Sequence, residues 1–150
     1  MLKILLITFL LIGFSFANEN KSDIKQEKIR LLKKINETFA TGDAKKIFKL
    51  YKELASVYTK GGEYYKAIGY YKLALKLYLT TKDQDAKTKV ALYKNLAFCY
   101  KKIGNNFKSF KYTYKAVKLA NKTYGKNANI TKKLDHEIAE IQSRMIAASI

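Results

Sequence analysis

The chain has no proline and no tryptophan, one cysteine, one histidine and seven glycines in 150 residues. Without proline nothing forcibly interrupts a long helix, and with so little glycine the tight turns of a sheet of short strands have little to build on. A single thiol, Cys99, excludes an intramolecular disulfide, so the fold must hold by packing alone. Cys99 lies between Phe98 and Tyr100 in a helical pattern, where it reads as an inert, partly buried thiol or as a partner in an intermolecular bridge. The lone histidine excludes a two-histidine zinc-binding helix, because His136-Glu137 runs on into Ile138-Ala139. No glycine-rich phosphate loop is present. With no nucleophile beside a base and no set of metal ligands, the chain reads as a non-enzyme that needs no cofactor and no metal.

Acidic residues are also scarce, 12 against 30 Lys and Arg, which gives a formal net charge of +18. Such a charge attracts acidic proteins, anionic polymers and anionic membrane surfaces, unless it only solvates helix surfaces. Nucleic acid would be attracted as well, but no recognised nucleic-acid module is present. Long hydrophobic runs are lacking: Ile4 to Phe16 covers 13 positions, short of the roughly 20 that a membrane-spanning helix requires. With Lys3 before it and the small-x-small triplet Ser15-Phe16-Ala17 after it, this run reads as a secretory signal peptide over residues 1–17. Export to the periplasm or the extracellular space is the expectation. No cysteine follows the run to carry a lipoprotein-type anchor.

What the chain does have is 48% hydrophobic residues, enough for one compact core. They recur at helical spacing from Ser22 onward, cut by Thr41-Gly42-Asp43, Gly61-Gly62, Thr81 to Gln84, Gly104-Asn105 and Tyr124 to Asn129. The pattern predicts an all-α chain of six helices, over about 23–40, 44–60, 63–80, 85–102, 106–123 and 130–147. Short breaks force neighbouring helices to run antiparallel. A shift of 42 residues lays Tyr51, Leu54, Ala55, Tyr58, Gly62 and Ala74 over identical residues at 93, 96, 97, 100, 104 and 116. Tyr51, Leu54, Ala55 and Tyr58 form one stripe at i, i+3, i+4 and i+7, which a single hairpin cannot cover and a stacked neighbour can.

Tyr51, Leu54, Ala55, Tyr58, Ala67 and Tyr71 resemble the tetratricopeptide (TPR) signature, and the 42-residue period is similar to the kinesin-light-chain variety. In the second repeat Tyr93, Leu96, Ala97 and Tyr100 fit, while Ser109 and Thr113 stand where the family has alanine and an aromatic residue. The resemblance implies antiparallel helical hairpins stacked as a short solenoid. Residues 18–47 form an N-terminal helix and lead-in, and 48–147 the TPR-like domain, with repeats about 48–81 and 90–123 and a capping half-repeat at 130–147. It also implies binding of a protein or peptide in a concave groove, placed opposite the buried stripe at Lys49, Lys52, Lys60, Lys94, Phe98, Lys101, Lys102 and Arg144. Cationic walls around one apolar side chain suit an acidic peptide. A carboxylate clamp of the chaperone-binding kind would use Lys52 and Lys94, but Ser56, Phe98 and Glu140 depart from the partners it needs. A solenoid this short also leaves self-association through an end helix open.

Overall fold

The computed structural model describes residues 21–81 and 84–149, and for residues 2–20 only the course of the backbone within the first helix. The segment read as a signal peptide therefore lies outside the residues whose side chains are described. Six helices follow one another: α1 (Leu2–Thr41), α2 (Ala44–Lys60), α3 (Tyr64–Thr80), α4 (Ala86–Lys102), α5 (Asn106–Tyr124) and α6 (Asn129–Ala147). The five spans from α2 onward agree with expectation to within one residue at either end; α1 is longer than the expected 23–40. No strand occurs among the described residues.

The breaks work as punctuation for identifiable reasons. Asp43, Asp85 and Asn105 cap the starts of α2, α4 and α5, each accepting hydrogen bonds from free backbone N–H groups of the first turn. After α2 and α4 the chain reverses through Gly62 and Gly104, both at φ 74°, where a residue with a β-carbon would be strained. The next amides, of Glu63 and Asn105, then donate to the carbonyls of Tyr58 and Tyr100, at 2.9 Å in both turns. The repeat therefore extends to the backbone of the turns.

Consecutive helices pack against each other, and a few side chains show how the pairs are arranged in two layers. Lys28 of α1 and Lys66 of α3 lie over the same Tyr58 ring of α2, with their nitrogens 5.1 and 5.4 Å from its centroid. Lys72 of α3 and Lys108 of α5 flank the Tyr100 ring of α4 in the same way, at 5.9 and 5.5 Å. The odd helices thus lie side by side in one layer. Thr59 of α2 meets Cys99 of α4, and Lys101 of α4 pairs with Glu140 of α6, so the even helices form the other layer. Lys28 and Lys66 also converge on Glu63, whose carboxyl is held below its ordinary value first by the bond from Lys28 and then by that from Lys66.

The core lies between the layers. Leu54, Ala55, Leu96 and Ala97, the residues that recur at the 42-residue spacing, are at most 4% exposed. One cluster joins α1, α2, α3 and α4 through Leu31, Leu54, Tyr71 and Leu96; a second gathers Val90, Ala116, Val117, Ala120 and Leu134 where α4, α5 and α6 meet. Tyr70 and Tyr112, which the signature does not cover, also obey the repeat. Tyr70 stacks on Tyr58 at 5.5 Å and 7°, and Tyr112 on Tyr100 at 5.5 Å and 6°.

Candidate functional site

The even layer offers one recess in which expected groove residues converge. Lys94, Asn95, Phe98 and Lys101 of α4, Ser109 and Thr113 of α5, and Glu137 and Ile141 of α6 line a cavity of about 210 Å³. Its origin lies in the repeat. Thr113 occupies the position that Tyr71 holds one period earlier, and Ser109 that of Ala67. In the first hairpin the Tyr71 ring is 3% exposed and fills the space between α2, α3 and α4. Its hydroxyl comes within reach of Thr59 and Ser56, with Cys99 alongside, and burial pushes its pKa up. The register equivalents of Ser56, Thr59 and Cys99 are Phe98, Lys101 and Ile141, which are three of the residues around the cavity. The recess is the space that a tyrosine ring occupies one repeat earlier. Threonine is shorter than that ring, and Thr113 and Ser109, each 1% exposed, form the buried floor of the recess.

The small groups at its base are satisfied. Ser109 donates to the Ala97 carbonyl at 3.0 Å and Thr113 to the Ser109 carbonyl at 3.0 Å. At the rim, Phe98 is 45% exposed, with its ring 6.2 Å from that of Tyr64 in an edge-on contact and the Lys102 nitrogen 5.5 Å above it. The half-exposed Phe98 ring thus presents an apolar surface beside the recess.

The eight expected groove residues stand in different relations to this recess. Lys94, Phe98 and Lys101 line the recess, and Lys102 covers Phe98 at its edge. Arg144 reaches it only through Glu140, which accepts from both Lys101, at 2.9 Å, and Arg144. The bond from Lys101 is the main reason that the Glu140 carboxyl sits below its ordinary value. Lys52 does not line the recess; it lies over Phe48 of its own helix at 5.2 Å, and Phe48 in turn packs on Tyr78. Lys49 and Lys60 are exposed on α2, and Lys60 acts electrostatically on Glu27 of α1. The α4–α6 end of the groove thus carries acids as well as bases, because Glu137 and Glu140 project from α6 towards α4.

Cys99 is fully buried and its thiol is pushed up by burial, so the inert reading of this residue fits its surroundings. Sequence reasoning missed Asn95, Glu137 and Ile141 as neighbours of Phe98. It had noticed Ser109 and Thr113, as departures from a pattern rather than as the floor of a recess.

The family model for DUF2225, described as an uncharacterized protein conserved in bacteria, matches residues 12–141. No curated protein matches the chain. Among solved structures, the fold is similar to the crystal structure of BtubC (BKLC) from P. vanneervenii, with a TM-score of 0.62 and 19% sequence identity. That likeness covers 81% of this chain and 50% of the other, so the chain spans about half the length of that protein. At this identity the similarity bears on the fold, a TPR-like helical repeat.

Proposed function

The chain belongs to the DUF2225 family, and on that premise and the geometry of its even layer we propose that it is a protein-interaction module. It binds a partner's peptide segment by taking one aromatic side chain into the recess beside Phe98. The observation that carries this reading is the recess itself: a cavity of about 210 Å³ in the place where the preceding repeat seats the Tyr71 ring. Buried aromatic anchors in water-free pockets contribute much of the affinity at protein interfaces. Lys94 and Lys101 stand at the same recess, so an acidic residue next to the aromatic one would gain a charge-assisted hydrogen bond and displace Glu140 from Lys101. The partner segment is therefore aromatic and acidic. Function is by reversible binding, with no chemical step and no cofactor.

The test is selection of a displayed random peptide library on the full chain, followed by titration of the enriched peptide. Enriched sequences should share an aromatic residue flanked by Asp or Glu. Phe98→Ala and Lys94→Gln should each weaken the enriched peptide by about tenfold, as loss of an anchor contact does. Affinity that survives both changes would place binding outside the recess.

We also place the chain outside the cytoplasm, in the periplasm or beyond, on the strength of Lys3, the apolar run Ile4 to Phe16 and Ser15-Phe16-Ala17. N-terminal sequencing of the chain recovered from its native cells should begin at Asn18. A start at Met1 in soluble extracts would reject export.

A further inference from the structure

The odd layer has a surface that peptide binding in the recess does not use. Of the ten exposed large hydrophobic side chains among the described residues, eight lie on α1, α3 and α5; only Phe98 and Ile146 lie elsewhere. Tyr65 and Phe107 are the most exposed of all, at 76% and 67%. They are register equivalents, 42 residues apart, each near the start of its helix. The charge around them is mostly positive: the one nearby acid, Glu63 at the N-cap of α3, is paired with Lys28 and Lys66. α3 and α5 carry three and five lysines and not one Asp or Glu, whereas α6 sets acids against the lysines of α4. Some of the odd-layer lysines are engaged on tyrosine rings, but Lys76, Lys111 and Lys118 are exposed, and the last of these repeats the first one period later.

We infer that the α3–α5 face docks on an anionic lipid bilayer. Lysines alone would suit any polyanion, because counterion release asks only for charge. The exposed rings separate the candidates: a soluble polyanion in water gives Tyr65 and Phe107 no apolar phase to enter, whereas the headgroup boundary of a bilayer accepts aromatic side chains and supplies the negative charge. A bilayer is also broad enough to meet two parallel helices of one layer at once. Lys76, Lys111 and Lys118 would sit at the phosphates and the two rings just below them. Such docking leaves the even layer, with its recess, facing away from the membrane.

The experiment is co-sedimentation of the full chain with vesicles of phosphatidylcholine alone and of phosphatidylcholine with phosphatidylglycerol, at physiological salt. The wild type should bind only the anionic vesicles. Lys76→Gln/Lys111→Gln/Lys118→Gln should lower the partition coefficient by about 100-fold, three lysines at about fivefold each. Tyr65→Ser/Phe107→Ser should lower it by about tenfold, with the loss persisting when salt is raised. All five positions are exposed, and unchanged circular dichroism melting would show that each variant folds. A ring variant that binds like the wild type would mean charge alone and overturn the inference. It would equally fail if Lys94→Gln/Phe98→Ala abolished vesicle binding. Every variant keeps residues 1–17, so equal binding by all of them would assign it to that apolar run and likewise overturn the inference.

Discussion

Thr113→Tyr is expected to abolish peptide binding while making the protein no less stable. The substitution restores the residue that the first repeat has at this register, and the ring should enter the recess that the ligand's aromatic side chain would otherwise take. In the first hairpin the ring is flanked by the small Ser56 and Thr59; in the second it would meet Phe98 and Lys101. Phe98 is 45% exposed, with room to turn outward, and the Lys101 stem can shift at the expense of its ion pair with Glu140. Filling the cavity should therefore add about 1 kcal/mol of stability, against a loss of binding of 100-fold or more, as when an anchor pocket is blocked. Thr113→Tyr with Phe98→Ser reproduces the pair found in the first hairpin and should be more stable still. Titration of the selected peptide and thermal unfolding read the two effects separately. A Thr113→Tyr protein that melts normally and still binds would show that the recess is not the site.

The largest effect on stability is expected from Leu96→Ala. Leu96 is fully buried, at 0% exposure, in the cluster that joins the first hairpin to α4. Removing its branched end deletes transfer energy and leaves a cavity that rigid neighbours cannot close, a loss of about 3–5 kcal/mol. For a chain of this size that lowers the melting temperature by roughly 10–15 °C. Leu54→Ala, the same residue one repeat earlier and equally buried, should cost a similar amount. The pair changed together would remove most of the 5–15 kcal/mol that a domain typically has, and should not fold at 37 °C. Ile146→Ala, at a position 63% exposed, should stay within about 0.5 kcal/mol of the wild type. Chemical denaturation with far-ultraviolet circular dichroism measures all four. A loss below 1 kcal/mol at Leu96 would mean that the two hairpins do not share one core.

The helices were legible in the sequence because their ends are local events: a glycine that tolerates positive φ, an Asp or Asn that caps the next turn. The repeat was legible through Leu54, Leu96 and their neighbours, since residues that must interlock between hairpins recur in type and spacing. Tyr70 and Tyr112 are also identical at the same 42-residue shift, and packing between neighbouring helices was the expectation for them. They fall outside the family signature, and only the stacking on Tyr58 and Tyr100 reveals what they do. The role of α1 was hidden for another reason. Lys28 stands 30 residues before the ring it covers and Lys72 stands 28 before its own. A comparison at fixed period therefore misses that α1 docks on α2 much as α3 docks on α4.

The groove was less legible than the fold. Helical spacing placed eight positions on one side of their helices, but spacing fixes angle around a single axis and not the distance between axes. It could not separate Lys52, lying on Phe48, from Lys94, lining the recess, although the two are register equivalents. Nor could it show that Glu140 would draw in both Lys101 and Arg144 and temper the positive charge at that end.

The sequence by itself determined that this protein is helical, strongly basic and built on a repeat, because helix propensity, charge and periodicity belong to residues in order along the chain. Tertiary structure alone decided where threonine in place of tyrosine leaves a recess, which lysines are spent on carboxylates and rings, and which lysines and aromatic rings of each layer stay exposed. Those outcomes depend on which side chains from different helices come within a few ångströms of one another, and that is settled only when the helices pack.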